Sequence, residues 1–405
     1  MIFFLIGNIL LVSYFFNYRR KDPKPISYPS VSVVIPVWNE NRTIAETMES
    51  IVKMKNSYKG EFEIIIVDNN STDDGPKIVQ QYAKKYNYIK LIYEKDKQGK
   101  SFAINKGINA AKNELIVTID ADSFPYKDSL EYIVGYFDDA KTGAVVTKLR
   151  VKDPKHIIEK FQNIEYFYSN FYILALDYLE SVFVARGPLS VFRRAVLKQI
   201  GGFIDAKVTP TEDMEITFRV RKAGYNIRVS KEAFVETKVM PTVKALYKQR
   251  MRWNTGTIKT FFLHRDVLFN PVYNFFGLWV GPTVAFSYIL LFIVIYYLIR
   301  ELLNNIDLVQ KAVWNITHHI PLDFSWIPFV YHNIGYYIPY YTFFLIFSFS
   351  LLIGVYYIAF LESNVSIRSS FMIFMAYVFI YYLFLLSCNL IAIWKLIINK
   401  DVPWR

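Results

Sequence analysis

The chain has 405 residues, 53% of them hydrophobic and 18% aromatic, yet 20% are charged. That mixture argues against a wholly soluble or wholly membrane-buried protein and for two or three units, a polar domain joined to membrane spans. A net charge of +12 suits anionic lipid or a nucleoside diphosphate, and the absence of zinc-ligand spacing, basic heptads or RNA-binding aromatic signatures argues against nucleic acid. The first segment, Met1 to Phe16, is apolar apart from Asn8 and Ser13, and Tyr18-Arg19-Arg20-Lys21 follows it. A signal peptide carries its charge before the apolar run, so this order predicts an anchoring span over residues 1–18. Its basic cluster should stay cytoplasmic, with the N-terminus outside. The single cysteine, Cys388, forbids an intrachain disulfide and agrees with a reduced, cytosolic setting for the polar part.

Residues 30–240 read as an α/β domain. Short apolar runs, Val31 to Val37, Glu63 to Asp68, Ile89 to Tyr93 and Glu114 to Asp120, alternate with helical patterns over Thr43–Met54, Asp74–Lys85 and Ser101–Lys112. Buried runs alternating with helices predict a mostly parallel sheet covered on both faces. Ligands bind such sheets beyond the carboxyl ends of the strands. The residues there are Asn39-Glu40, Asp68-Asn69-Asn70 and Asp120-Ala121-Asp122, polar groups that each contain an acid.

After the polar domain, residues 241–270 read as interfacial helices and 271–405 as a helical membrane region of about three spans. Phe275 to Ile299, Tyr337 to Leu361 and Phe371 to Ile398 are the apolar runs, with an interfacial segment near Trp326 to Val330. This predicts a multi-pass plasma-membrane protein with a cytosolic polar domain. Four spans in all would put the C-terminus outside, whereas Lys395, Lys400 and Arg405 favour the cytoplasm.

Five motifs carry candidate chemistry. Asp120 and Asp122 offer hard oxygen ligands suited to Mg²⁺ or Mn²⁺ bound together with substrate phosphates, although a D-x-D triplet also serves as a plain polar turn. Asp68 at its strand end can accept from a base or ribose, while Ser71 or Thr72 can cap the helix that follows. Gly99-Lys100-Ser101 lacks the earlier glycine of a triphosphatase loop, but Lys100 at a helix start can meet a diphosphate. Thr211-Glu212-Asp213 reads as a helix cap with a complementary acidic first turn, or as a source of a carboxylate base for an attacking hydroxyl. Gln249, Arg252 and Trp253 share a helical face; they suit a membrane interface, or Arg252 can counter a diphosphate while Trp253 floors an acceptor.

Taken in order, these motifs resemble the membrane-bound, synthase-like branch of the family 2 glycosyltransferases with the GT-A fold, including cellulose-, chitin-, hyaluronan- and poly-N-acetylglucosamine-synthase-like enzymes. Pro36-Val37-Trp38-Asn39-Glu40 matches the opening donor-site motif, and Asp68 the base-contacting aspartate. The resemblance implies that Asp120 serves the nucleotide and the metal, with Asp122 the more direct metal ligand, and that Asp213 is the general base beside Glu212. It also implies that Gln249 and Arg252 belong to the Q-x-x-R-W motif on the donor side, with Trp253 and Gly187 toward the acceptor. Arg186-Gly187 and Gly201-Gly202-Phe203 sit where the family places its acceptor-side loop. The expected activity is inverting, metal-dependent transfer from a nucleotide sugar, expected to be UDP-linked, to a β-linked polysaccharide or to a lipid acceptor. Two departures stand out: Asp-Asn-Asn replaces the commoner Asp-Asp at the base, and the membrane part is smaller than in many polymer-extruding synthases.

Overall fold

The computed structural model describes residues 2–18, 20–94, 99–304, 306–318, 350, 353–361 and 367–398. Its centre is one eight-stranded sheet of order β3-β2-β1-β4-β7-β6-β8-β5. The strands are β1 (Val31–Val37), β2 (Phe62–Asn69), β3 (Ile89–Glu94), β4 (Leu115–Thr118), β5 (Ser123–Pro125), β6 (Thr142–Val151), β7 (Ser190–Arg193) and β8 (Asn226–Thr237). The first four pair in parallel, as the alternation of apolar runs and helices predicts. β6 and β8 also pair in parallel, so most pairings are parallel as expected, but the sheet is mixed: β7 runs antiparallel to both β4 and β6, and β5 antiparallel to β8. β7 is only four residues long and reaches its place through long-range pairing, so no local period announces its direction.

The helices before the C-terminal region are α1 (Ile2–Tyr18), α2 (Ile44–Ser57), α3 (Gly75–Lys85), α4 (Lys100–Ala110), α5 (Ser129–Val134), α6 (Ile157–Tyr178), α7 (Arg194–Gln199), α8 (Glu212–Lys222) and α9 (Val243–Leu263). Period-two alternation along the strands divides the core into two layers. Val34, Ile65, Val67, Ile116 and Val146 face α4 and α6 on one side. Val33, Ile35, Ile64, Ile66, Leu115 and Val117 face α2 and α5 on the other. Each such side chain contributes about 1.5–3 kcal/mol on burial. Helix α4 approaches the sheet at Gly107, where a Cβ would lie 2.3 Å from Val34 Cγ1. Any larger residue there would push away the helix that begins with Lys100.

Two acids, the half-buried Asp22 and the buried Asp177, fasten the N-terminal segment to this body. Asp22 accepts from Tyr136 Oη at 2.7 Å, Ser230 Oγ at 2.7 Å, and the backbone N–H groups of Lys231 and Glu232 at 2.8 and 2.9 Å. Asp177, whose side chain has no exposed surface, accepts from Arg20 at 2.5 Å and Arg228 at 2.9 Å. Asn17 on α1 also donates to Asp177 at 3.3 Å and to Leu174 O at 2.7 Å. Helix α1 therefore lies along α6, burying Leu10 and Tyr14 against it.

Beyond α9 come α10 (Asn274–Asn304), which contains the expected apolar run Phe275 to Ile299, and α11 (Ile306–Thr317). The C-terminal helix is continuous through α12 (Ile367–Ala376), a π turn (Tyr377–Tyr381) and α13 (Tyr382–Ile397). Its portion Phe371–Ile397 is the one helix among the described residues long and apolar enough to cross a membrane. Most of the expected span Tyr337 to Leu361, all of Trp326 to Val330, Lys400 and Arg405 fall outside the described residues.

Replacing Asp177 leaves Arg20 and Arg228 without their shared partner, a change that costs about 3–5 kcal/mol for a buried ion pair. Asp177→Ala should therefore lower the thermal unfolding midpoint markedly, as read by differential scanning calorimetry of the full chain. An unchanged midpoint would contradict the tether.

Candidate active site

The carboxyl ends of β1 and β2 lie level, with Val37 paired to Asp68, while β4 ends three residues earlier, Thr118 opposite Val34, so that the chain continues through Asp120 beside the end of β1. Two asparagines in the left-handed region, Asn39 (φ 55) and Asn70 (φ 60), turn the chain out of β1 and β2. Asparagine tolerates that region better than most side chains. Asn39 Oδ1 accepts from Thr72 N at 2.8 Å, and its N–H donates to Ser71 Oγ at 3.0 Å. The expected cap on α3 by Ser71 or Thr72 is thus corrected: α3 starts later, at Gly75, and these hydroxyl residues lace the two strand-end loops together. The Asn39 side chain is committed to the same lacing.

An open cleft lies beyond these ends, and Pro36, Lys100, Asp120, Gly187, Glu212 and Asp213 line it. Six residues singled out from the sequence therefore meet, although they come from five separated segments. Lys100, the first residue of α4, reaches Asp120 Oδ1 at 2.7 Å and Glu212 Oε1 at 3.0 Å. Gly187 admits this bridge, since a Cβ there would stand 2.8 Å from Asp120 Oδ2 and 3.2 Å from Lys100 Nζ. Ile104, Ala185 and Phe203 complete the apolar wall. Phe203 is held by Asn105, which donates to its carbonyl at 2.6 Å and accepts from its N–H at 2.8 Å. The sequence reading missed Asn105, whose partner Phe203 lies 98 residues further along the chain and leaves no local signal.

Charge in the cleft is unbalanced. Burial, then the carboxylates of Asp120 and Glu40, push the Asp122 carboxyl up to about 7, against the pull of Lys100. Burial and the neighbouring Glu212 push Asp213 up to about 6. Burial also opposes the charge on Glu212, but Lys100 and Arg252 overcome it and hold that carboxyl below its ordinary range. Burial likewise works against the Lys100 ammonium, and Asp120 and Glu212 reverse the effect and raise it. Arg252 thus acts on Glu212 and Asp213 from α9, the helix expected to carry it.

Asp213 stands in the first turn of α8, where its Oδ1 accepts from Met214 N at 2.8 Å. The expected capping by Thr211 is corrected, for its hydroxyl makes no cap bond and joins Thr209 and Thr260 at 3.2 Å each. This threonine cluster seats α8 on α9 at Gly256, where a Cβ would meet Thr211 at 2.5 Å. Glu215 adds a fork of two 2.6 Å bonds from Arg219 and a 3.2 Å contact with His264.

The remaining candidates lie around the cleft. Asp68 is buried, and its Oδ1 has no hydrogen-bond partner. Gln249 Oε1 is likewise buried without one. Thr43 Oγ1 donates to Glu40 at 3.1 Å, and the Arg250 guanidinium lies 4.4 Å from the ring centroid of Trp253. Among the described residues no three His, Cys, Asp or Glu side chains form a metal cage. The hard-oxygen set of Asp120 and Asp122, with Asp122 raised by neighbouring negative charge, nevertheless fits Mg²⁺ or Mn²⁺ shared with substrate phosphates.

Residues 29–256 match the family model described as "Glycosyltransferase like family 2". A probable glycosyltransferase, YdaM of Bacillus subtilis, is 32% identical over 260 residues, covering 60% of this chain and 60% of that protein. The poly-beta-1,6-N-acetyl-D-glucosamine synthase of Staphylococcus epidermidis is 26% identical over 264 residues, covering 63% and 62% respectively. The match thus spans about three fifths of each relative's length. The fold is shared with the mannosyltransferase PcManGT from Pyrobaculum calidifontis, solved in complex with GDP-Man and Mn²⁺, at TM-score 0.53 and 24% identity over 69% of this chain and 81% of that one. With more than half of its length matched by the family model, the chain belongs to the family 2 glycosyltransferases and is a glycosyltransferase enzyme.

Proposed function

We propose that this enzyme transfers a sugar from a UDP-sugar to a growing β-linked polysaccharide at the membrane, inverting the anomeric carbon. The observation that carries the reading is the Asp120–Lys100–Glu212 bridge beside Asp213, at the ends of the parallel strands. The relatives named as polysaccharide synthases support the acceptor class. Phe371–Ile397, together with the apolar runs in α1 and α10, supports action at a membrane.

In this reading Asp68 accepts from the base or ribose through its unpartnered oxygen, and Pro36, Asn39, Glu40 and Gln249 shape the donor side. Asp122, with Asp120, would hold Mn²⁺ or Mg²⁺. That cation supplies neutralising charge at the diphosphate when bound. Asp213 takes the proton of the acceptor hydroxyl as its oxygen bonds to the anomeric carbon and the bond to the diphosphate breaks. Lys100 and Arg252 face the charge that grows on the leaving diphosphate, where preorganised electrostatics contribute most. Glu212 holds Lys100 in place, and Trp253 and Gly187 border the acceptor.

A base raised to about 6 gives kcat/KM an acid limb centred near that pH, with activity rising as the carboxyl deprotonates. Asp213→Asn should abolish transfer while leaving UDP binding intact. A wild-type rate in that variant, or an acid limb at the ordinary carboxylate position, would remove Asp213 from the role.

The functional reading as a whole is tested by supplying membranes containing the enzyme with labelled UDP-glucose, UDP-N-acetylglucosamine or GDP-mannose, with Mn²⁺, Mg²⁺ or EDTA. Polymer formed from a UDP-sugar and lost with EDTA is the expected result. A single-sugar lipid would move the acceptor to the lipid class, and metal-independent turnover would contradict the assignment of Asp122.

A further inference from the structure

Between Gln249 and Arg252 lies a residue that the proposed chemistry leaves unused. Arg250 is 5% exposed, and its Nη2 donates to Glu165 Oε2 on α6 at 2.6 Å. The same nitrogen donates to Tyr381 Oη at 3.3 Å, and that hydroxyl donates to the same Glu165 oxygen at 2.8 Å. Tyr381 is 1% exposed and closes the π turn of the C-terminal helix. Three elements far apart in the chain therefore converge on one carboxylate oxygen.

Apolar packing alone would allow α9 to rotate or slide against its neighbours; charged, directional bonds in a buried site do not. Successive helical residues are about 100° apart, so anchoring Arg250 toward α6 and the π turn sends Arg252 about 200° round the helix. Arg252 there acts on Glu212 and Asp213. The Arg250 guanidinium also stacks 4.4 Å from the Trp253 ring centroid, which links the indole to the same anchor. One further contact joins the two helices, Lys395 Nζ lying 5.8 Å from the Tyr247 ring centroid. π turns recur where a helix serves a functional site.

We propose that Arg250, Glu165 and Tyr381 form a positioning triad by which the apolar C-terminal helix sets the orientation of Trp253, the side chain that Arg250 touches directly. The inference rests on the reading of Trp253 as an acceptor-side residue. Asp120 and Lys100, on the donor side, follow β4 and begin α4, neither of which supplies a member of the triad. Loosening the triad therefore weakens capture of the sugar by the acceptor while leaving the donor bound, and water takes the sugar instead. In that side reaction a water oxygen bonds to the anomeric carbon, the bond to the diphosphate breaks, and the water proton leaves to base.

The test uses the full chain in membranes with whichever of UDP-glucose, UDP-N-acetylglucosamine and GDP-mannose gives the highest turnover. Sugar incorporated and nucleotide released are measured together. Tyr381→Phe removes one hydroxyl and keeps the Arg250–Glu165 pair. It should lower sugar incorporated per nucleotide released about tenfold, the effect of one hydrogen bond to a charged group, with donor KM unchanged. Glu165→Gln, which still accepts both bonds, should retain more transfer than Glu165→Ala. An unchanged ratio in Tyr381→Phe, or a parallel loss of incorporation and release with raised donor KM, would overturn the triad's role. Absence of turnover by the unmodified chain with all three donors would instead defeat the functional reading beneath it.

Discussion

The ion bridge from Lys100 to Asp120 and Glu212 is the contact on which the site depends. It joins the start of α4, the turn after β4 and the start of α8, three pieces that no local interaction brings together. Collecting carboxyls in a partly desolvated cleft is unfavourable, because each raises its neighbours and each loses water. Lys100 relieves Asp120 and Glu212, while Asp122 and Asp213 remain raised. The cleft is therefore built with its negative charge only partly compensated. Such a site has electrostatic work left for a cation, a proton or a diphosphate, which separates it from a structural salt bridge.

Helix α6 is the spine behind this arrangement. Several of its polar residues bond different parts of the molecule. Asp177 ties in α1 and β8, and Asn170 bonds both N and O of Leu149 on β6. Asn170 and Ser169 also hold the buried Arg186, next to cleft-lining Ala185 and Gly187. Glu165 takes α9 and the C-terminal helix. In this largely apolar and aromatic helix the buried Asn170 and Asp177 and the partly buried Glu165 thus each bond another element, since a buried polar group demands a partner.

Much of this was legible from residue pattern alone. The run Val31 to Val37 forms a strand with those same limits, because a buried parallel strand is apolar throughout. The acidic strand ends and the order of motifs pointed to the cleft residues. Long-range arrangement was not legible: nothing local in Ser190–Arg193 reveals a strand antiparallel to both neighbours. Thr211 looked like a cap by position, but a buried threonine cluster offered its hydroxyl better partners. Arg250 was hidden among basic residues suited to lipid, and Glu165, an acid set between aromatic residues of α6, was its overlooked signal.

The central claim is that Lys100 and its carboxylates form the seat of a nucleoside diphosphate. Titrating the full chain with UDP in the presence and absence of Mn²⁺, alongside Lys100→Met, examines it without requiring the acceptor. Metal-dependent binding that weakens about tenfold or more in the variant, as expected for loss of a hydrogen-bonded charge at a phosphate, is the predicted result. Equal UDP affinity in both proteins would contradict it.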